Sequence, residues 1–505
     1  MGYQNDPTQP MRPIKMRKGR ARQRVYRRQS GSATMIFRGC LALVALCTAG
    51  FLFFALILAP VMFRMLPYVD QGRIVRRVGF LSPWMYTETP APTPLAYTLP
   101  TAEPARLSNG LALLDDTATP GVPTALLAPT VVGANPQRVI SSPTSNPGAV
   151  TPVAVANNPT DPPPTPFPTP LPATPIPLPS AFHLTRYQWV PQTWNNCGPA
   201  NLTQVLNSYG LAVVQEDVAA YLKPNKNDAN VSPWQIVDYV NKFTRYRALT
   251  RMNGSLDLVK TLLVAKFRVI IETGLYAPKD KSWEGHYLTP IGYDDSLGIL
   301  YNLDTLLGAG KDNQGVREEY TDLDTRWGHF NRVYIVVYDA QREAELASLL
   351  GPDADPTMNA QNALIRANQD RKLDPSNSFA WFNLGSSYVL LKDYRQAAAA
   401  YDQARSVGQG LPWRMNWYQF GMLSAYYHTG DYQSALDQIE LALANQKNVE
   451  ELYYWRGLIE DKQGNRSGAI SDLTQAIILN PNYKPASEAR VAINAGNQPL
   501  AFDQP

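Results

Sequence analysis

A thiol becomes a nucleophile when its surroundings lower its pKa and a nearby base takes its proton. Cys197 stands where the first condition is met. The run Gln192-Thr193-Trp194-Asn195-Asn196-Cys197-Gly198-Pro199-Ala200 opens a segment in which Leu202, Val205, Leu206 and Tyr209 recur at the spacing of one helical face, with Gly210 as its stop. Pro199 suits the first turn, where its missing N–H costs nothing. Cys197 therefore lies at the N-terminal end, where the helix dipole favours a thiolate. Gly198 and Ala200 leave room for a substrate backbone. Gln192, five residues earlier, carries an amide donor able to reach an oxyanion beside the thiol.

The base must come from four histidines: His183, His286, His329 and His428. His183 lies at the edge of a linker and His428 in a helical tail. His286 begins the strand-like run His286–Tyr293, Asp294-Asp295-Ser296 reads as a turn, and Ile299–Asp304 reads as the returning strand. A hairpin centred on Asp295 sets His286 opposite Asp304, with Cβ atoms about 4.5–5.5 Å apart on one face. Asp304 then accepts from the imidazole and holds its tautomer. A two-residue shift would put Asn302 in that role, and a bulge at Pro290 would change the count. His329, just before a final strand Val333–Tyr338, is the substitute base. With no cysteine pair, no His-x-x-x-His and no acidic cluster, the sequence supports neither a metal site nor a cofactor.

These residues sit in one part of a divided chain. Of 43 prolines in 505 residues, 23 lie between Pro90 and Pro179, which marks a linker. Residues 1–63 carry ten Lys or Arg and one acid, so the remainder has 36 basic and 41 acidic residues, a net of −5. The positive excess is confined to a tail rather than a folded surface, which argues against nucleic acid. Residues 39–63 form 25 consecutive residues without a charge, enough to span a bilayer of about 30 Å. The run is too long for a cleaved signal, and Ala59-Pro60 is a poor cleavage point. The heavier basic side precedes it, so the expected topology is a signal anchor with residues 1–38 cytoplasmic and the rest outside. Residues 64–88 form a juxtamembrane segment. Residues 89–180 are too poor in apolar periodicity to order and are expected to be a disordered stalk. Its end, 161–179, is stiff enough in polyproline II to reach roughly 60 Å. A mixed helix and strand domain follows over 181–340, and helices over 357–495.

The order Gln192, Cys197-Gly198-Pro199-Ala200, His286 and Asp304, with the G-H-Y…G-Y-D-D hairpin, resembles the papain-like double-glycine leader peptidases, and among them the free-standing bacterial type. The resemblance covers about residues 185–340. It implies a two-lobed α+β fold, with the Cys197 helix on one lobe and His286 on an antiparallel sheet. It also implies roles: Gln192 supports the oxyanion, Cys197 attacks, His286 serves as base and then acid, and Asp304 orients it. Members that process leaders are cytosolic and fused to an exporter, two features this chain does not share, so leader removal is not implied here.

In the helical tail, Trp381, Leu384, Gly385, Tyr388, Ala397, Tyr401 and Ala404 alternate small and large residues. Gly430 to Gly464 and Ala435 to Ala469 are both offset by 34, and Gly457, Leu473, Ala476 and Pro481 complete a third unit. The second unit departs in its first helix, and Ala363 and Pro375 suggest a partial unit upstream. This resembles a tetratricopeptide array, an all-α solenoid, and implies a protein or peptide partner. Trp413, Trp417, Tyr453 and Trp455 either line a groove or fill the core. The expectation is a bacterial single-pass membrane protein whose extracellular part is a cysteine peptidase acting on a peptide or protein, with the repeats binding a partner. The alternatives are a non-enzymatic surface scaffold with an inactive peptidase-like fold, and a cell-wall amide hydrolase or acyl transferase.

Overall fold

The computed structural model describes Leu99 and residues 101–116, 178–276 and 282–504. The basic tail, the apolar run 39–63, the juxtamembrane segment and most of the stalk lie outside the described residues. Among the described residues no helix is long and apolar enough to cross a membrane.

The first element departs from the expected disorder of 89–180. Residues Pro104–Asp116 form a helix, α1, opened by proline in its first turn. Its few leucines are too sparse to order the segment alone, and Leu99, Ala102 and Leu114 are instead buried against the C-terminal helices.

The mixed α/β domain runs from β1 (Ala181–His183) through α2 (Cys197–Ser208), α3 (Gln215–Leu222), α4 (Pro233–Phe243), β2 (Tyr246–Arg251), α5 (Leu256–Val264), β3 (Arg268–Tyr276), β4 (Trp283–Asp294), β5 (Ile299–Asp304), β6 (Val316–Glu319), α6 (Tyr320–Gly328) and β7 (Tyr334–Asp339) to α7 (Glu343–Leu350). The strands form one antiparallel sheet of order β2-β7-β3-β4-β5-β6, with β1 also paired to β4. Strand alternation divides two cores. Val269, Ile271, Tyr334 and Val336 join Leu262, Phe267 and Trp327 on one face. Ile270, Ile335 and Val337 join Leu202, Val205, Ile236 and Val240 of α2 and α4 on the other. Helices cover both faces, so β3 and β7 read as continuous apolar runs rather than alternating ones.

The β4–β5 hairpin differs from the symmetric count. Leu288, not His286, lies opposite Asp304, and the register shifts between Pro290 and Gly292. Proline has no N–H for the ladder, so the bulge falls beside it. His286 lies beyond the paired end of β5 and opposite Thr273 of β3.

The helical part comprises α8 (Pro356–Leu373), α9 (Ser378–Leu390), α10 (Tyr394–Ser406), α11 (Gly421–Thr429), α12 (Tyr432–Asn445), α13 (Glu450–Lys462), α14 (Arg466–Leu479) and α15 (Lys484–Asn494). Side chains of Asp355, Asn377, Asp393, Asp431 and Asn465 accept from amides of the first turn of α8, α9, α10, α12 and α14, supplying the N-caps that begin each helix. The irregular first half of the second unit is a 3-10 turn, Trp413–Trp417, followed by the nine-residue α11. Trp413 and Trp455 are buried in the array core, and Trp417 and Tyr453 pack against it, so these aromatics fill the solenoid rather than line a groove.

The two folded parts share a core. Trp283 of β4 stacks on Phe330 at 5.5 Å and meets the ring of Tyr418 edge-on at 5.6 Å. Arg414 donates to Glu284 at 2.9 Å. A Cβ on Gly285 would lie 2.7 Å from the Tyr418 ring, so only glycine admits this approach beside His286.

Candidate active site

Cys197 is the first residue of α2. The bend that delivers it uses Asn195 in the left-handed region (φ 53°), which asparagine tolerates. Asn196 directs its amide to the Thr193 hydroxyl at 2.7 Å rather than back onto the helix. The Cys197 N–H, at a helix start, has no carbonyl partner among the described backbone bonds and remains available to a ligand. A Cβ on Gly198 would meet Val231 at 3.2 Å and the Tyr287 ring at 3.5 Å, so the small residue lets α2 close onto β4.

The thiol is half-buried and faces His286. Burial pushes its pKa up, but the imidazole of His286, the backbone at Tyr287 and the charge of Lys223 outweigh burial and hold it below the ordinary thiol value. His286 is buried, and its Nε2 meets Asp304 Oδ1 at 3.0 Å, which leaves Nδ1 for the sulfur. Burial lowers the imidazole pKa, but the Asp304 carboxylate and the cysteine overcome it and raise the value to about 10. Asp304 closes the β5 end as an Asx turn: its Oδ1 also accepts the amides of Leu306 at 2.8 Å and Leu307 at 2.7 Å. Burial raises this carboxyl, whereas His286 and those amides bring it below its usual range. With the thiol lowered and the imidazole raised, both shifts favour a thiolate–imidazolium pair.

Gln192 is buried behind the same strand end. Its backbone N–H donates to Thr305 O at 2.9 Å, and the Thr305 hydroxyl donates to its Oε1 at 2.8 Å. The side-chain oxygen is thereby fixed, and Nε2 is the end of the amide left to donate.

A buried polar network, absent from the sequence-based reading, ties these parts together. Asn201 Nδ2 donates to Cys197 O and Tyr287 O, each at 2.9 Å, and approaches Thr305 Oγ1 at 3.4 Å. Gln204 Nε2 donates to Asn201 Oδ1 at 2.9 Å and to Thr289 Oγ1 at 2.8 Å, while Thr289 Oγ1 donates to Asn201 Oδ1 at 2.7 Å. These four residues are essentially inaccessible, so the bonds lock α2 against β4 and Thr305. Only the amide and hydroxyl types on the inward face of an otherwise apolar helix pattern hint at this in the sequence. Glu272, opposite Tyr287 on β3, is a further buried carboxyl near the thiol. Burial above all, and then the cysteine charge, pushes its pKa well up, which disfavours a second carboxylate beside the thiol. A cavity of about 120 Å³ lies at this junction with the repeats, lined in part by Trp234, Met252, Glu272, Tyr418 and Phe420.

The other candidates fall elsewhere. Asn302 donates to Glu318 at 3.0 Å and does not orient His286. His329 follows α6, accepts from Trp283 Nε1 through Nδ1 at 3.1 Å and stacks on Phe379 at 3.8 Å. Burial, then Arg326, lowers its pKa to about 3, so it is a neutral core residue. His183 lies on β1 between the carbonyls of Leu184 and Gln314, and His428 pairs with Asp503 at 2.9 Å in the array. Among the described residues no cluster of three or more His, Cys, Asp or Glu could hold a metal.

Comparison with known proteins bears on the two parts unequally. Residues 380–405 and 450–483 match the tetratricopeptide repeat family model. No curated protein matches the chain. Among solved structures, a crystal structure reported as a C39-like peptidase from Bacillus anthracis aligns over 31% of this chain and 96% of its own, with 18% identity and a TM-score of 0.26. The array is the part similar to a defined repeat family.

Proposed function

We propose that this chain is a cysteine peptidase that hydrolyses peptide or protein amide bonds through Cys197, His286 and Asp304. The observation that carries the reading is the contact chain from a helix-start thiol through a buried imidazole to a carboxylate fixed by two turn amides. Thiolate Sγ attacks the scissile carbonyl carbon, and the carbonyl electron pair moves onto oxygen. Gln192 Nε2 and the Cys197 N–H are the donors for that oxyanion. As the tetrahedral species collapses, the C–N bond breaks and the leaving amine takes the His286 proton, leaving a thioester. His286 then removes a proton from water, the hydroxide adds to the thioester, and the thiolate departs as the carboxylic acid product is released. Asp304 keeps the imidazole in one tautomer and stabilises its cation throughout.

The same proposal places the enzyme on a membrane. The uncharged run 39–63 serves as a single-pass anchor, and the ten basic residues before its end against one acid favour a cytoplasmic N-terminus with the peptidase and repeats outside. The repeats hold a protein partner or the substrate. A peptidyl vinyl sulfone tests the catalytic claim. Mass spectrometry should find one adduct on Cys197 in the wild type and none in His286→Ala. Equal labelling of both proteins, or none of either, would contradict it.

A further inference from the structure

Helix α1 belongs to the proline-rich segment by sequence, yet it is seated on the array as a ligand on a receptor. The Leu99 N–H donates to Leu411 O at 3.0 Å, the Ala102 N–H to Ser406 Oγ at 3.2 Å, and Gln403 Nε2 to Leu107 O at 2.7 Å. Arg106, Gly110 and Leu114 recur every four residues and share one face. Leu114 is buried, and a Cβ on Gly110 would lie 3.1 Å from that of Ala399 on α10. The Arg106 guanidinium pairs with Asp402 and Asp431, donates to Ser434 Oγ at 2.9 Å and lies over the Tyr426 ring at 5.0 Å.

The array holds those acids in place by itself. Asp402 accepts from Arg405 at 3.0 Å and from the Tyr426 hydroxyl at 2.7 Å, and Asp431 caps α12 through the Ser434 amide at 3.2 Å. Two carboxylates and an aromatic face, beside the small Ala398 and Ala399, form a socket suited to guanidinium. We propose that the α10–α12 face of the array is a recognition site for an arginine-anchored amphipathic helix, and that residues 99–116 are its displaceable ligand in cis. A 13-residue helix is marginal alone in water, so the helicity of α1 depends on docking. A ligand on the same chain acts at an effective concentration on the order of millimolar, which shuts out weak competitors and admits partners that carry the same anchor more tightly. This inference stands independently of the peptidase chemistry.

The test uses the intact chain and a fluorescein-labelled peptide of residues 97–118. Arg106→Glu and Gly110→Leu each alter the ligand and leave the array sequence intact. Hydrogen exchange at 104–116 should be slow in the wild type and at least 100-fold faster in Arg106→Glu. The labelled peptide should bind the Arg106→Glu and Gly110→Leu chains at least tenfold more tightly than the wild type, whose site is occupied. Adding Ala399→Leu, which fills the seat of Gly110, should weaken that binding at least tenfold without lowering the melting temperature. Unprotected amides at 104–116 in the wild type would overturn the proposal. So would a vacated chain that melts cooperatively and fails to bind the peptide, or binding that Ala399→Leu leaves unchanged.

Discussion

The surroundings of His286 and His329 make a controlled pair. Both imidazoles are buried, both belong to the same domain, and each is hydrogen-bonded to a neighbouring side chain. One is raised to about 10 and the other lowered to about 3. Burial penalises the cation in both places. The difference is the partner: His286 meets a carboxylate and a thiol, whereas His329 is boxed by Trp283, Phe379 and Tyr276 with Arg326 nearby. A buried histidine is therefore not a site until its charge has somewhere to go.

The largest effect should come from removing the reacting groups. Cys197→Ala and His286→Ala should each lower turnover by roughly 10⁴-fold or more in a peptide-cleavage assay. Folding of Cys197→Ala should change by no more than about 1 kcal/mol, because a small half-buried side chain is exchanged for another.

Asp304→Asn turns the environment of His286 toward that of His329. The imidazole pKa should fall from about 10, and turnover should drop by about 10²–10⁴-fold. Stability follows with a definite sign. The raised His286 contributes stability fully below its ordinary pKa of 6.5, and this fades as pH climbs through about 10. The lowered Asp304 contributes above its ordinary 3.8, and that is lost as pH falls through its folded value. Denaturation of the wild type and Asp304→Asn should therefore differ most between those two ordinary values, by about 3 kcal/mol, and the difference should shrink as pH climbs through about 10.

Gln192→Ala removes one donor and leaves both charges, so it should cost about 10²-fold in kcat with little change in KM. His329→Phe is the smallest expected effect. It keeps the stacking on Phe379 but strands the Trp283 N–H, which should cost about 1–3 kcal/mol of stability, with activity within about twofold of wild type.

How much of this was legible follows from the range of each interaction. The Cys197 helix start is a local pattern and could be read directly. The association of His286 with Asp304 was legible through the hairpin, but its register was not, because the Pro290 bulge displaces it. The pair forms nevertheless, since Asp304 sits in a strand-end turn whose amides aim its carboxylate back toward the end of β4 that extends past β5. The Asn201–Gln204–Thr289–Thr305 network joins residues up to 104 positions apart and carries no periodic signal. Helix α1 was hidden for a different reason: its order is supplied by Asp402 and Asp431, some 300 residues away. The aromatics of the array were open between groove and core until the helices showed which way they pack.

The most direct test of the central claim is the alkylation rate of Cys197 against pH in residues 88–505, where it is the only thiol. Wild type and His286→Ala are compared. An ion pair predicts fast reaction well below the ordinary thiol pKa of about 8.5, and loss of that low-pH reactivity in His286→Ala. A thiol that titrates near that ordinary value in both proteins, or does not react in either, would contradict it.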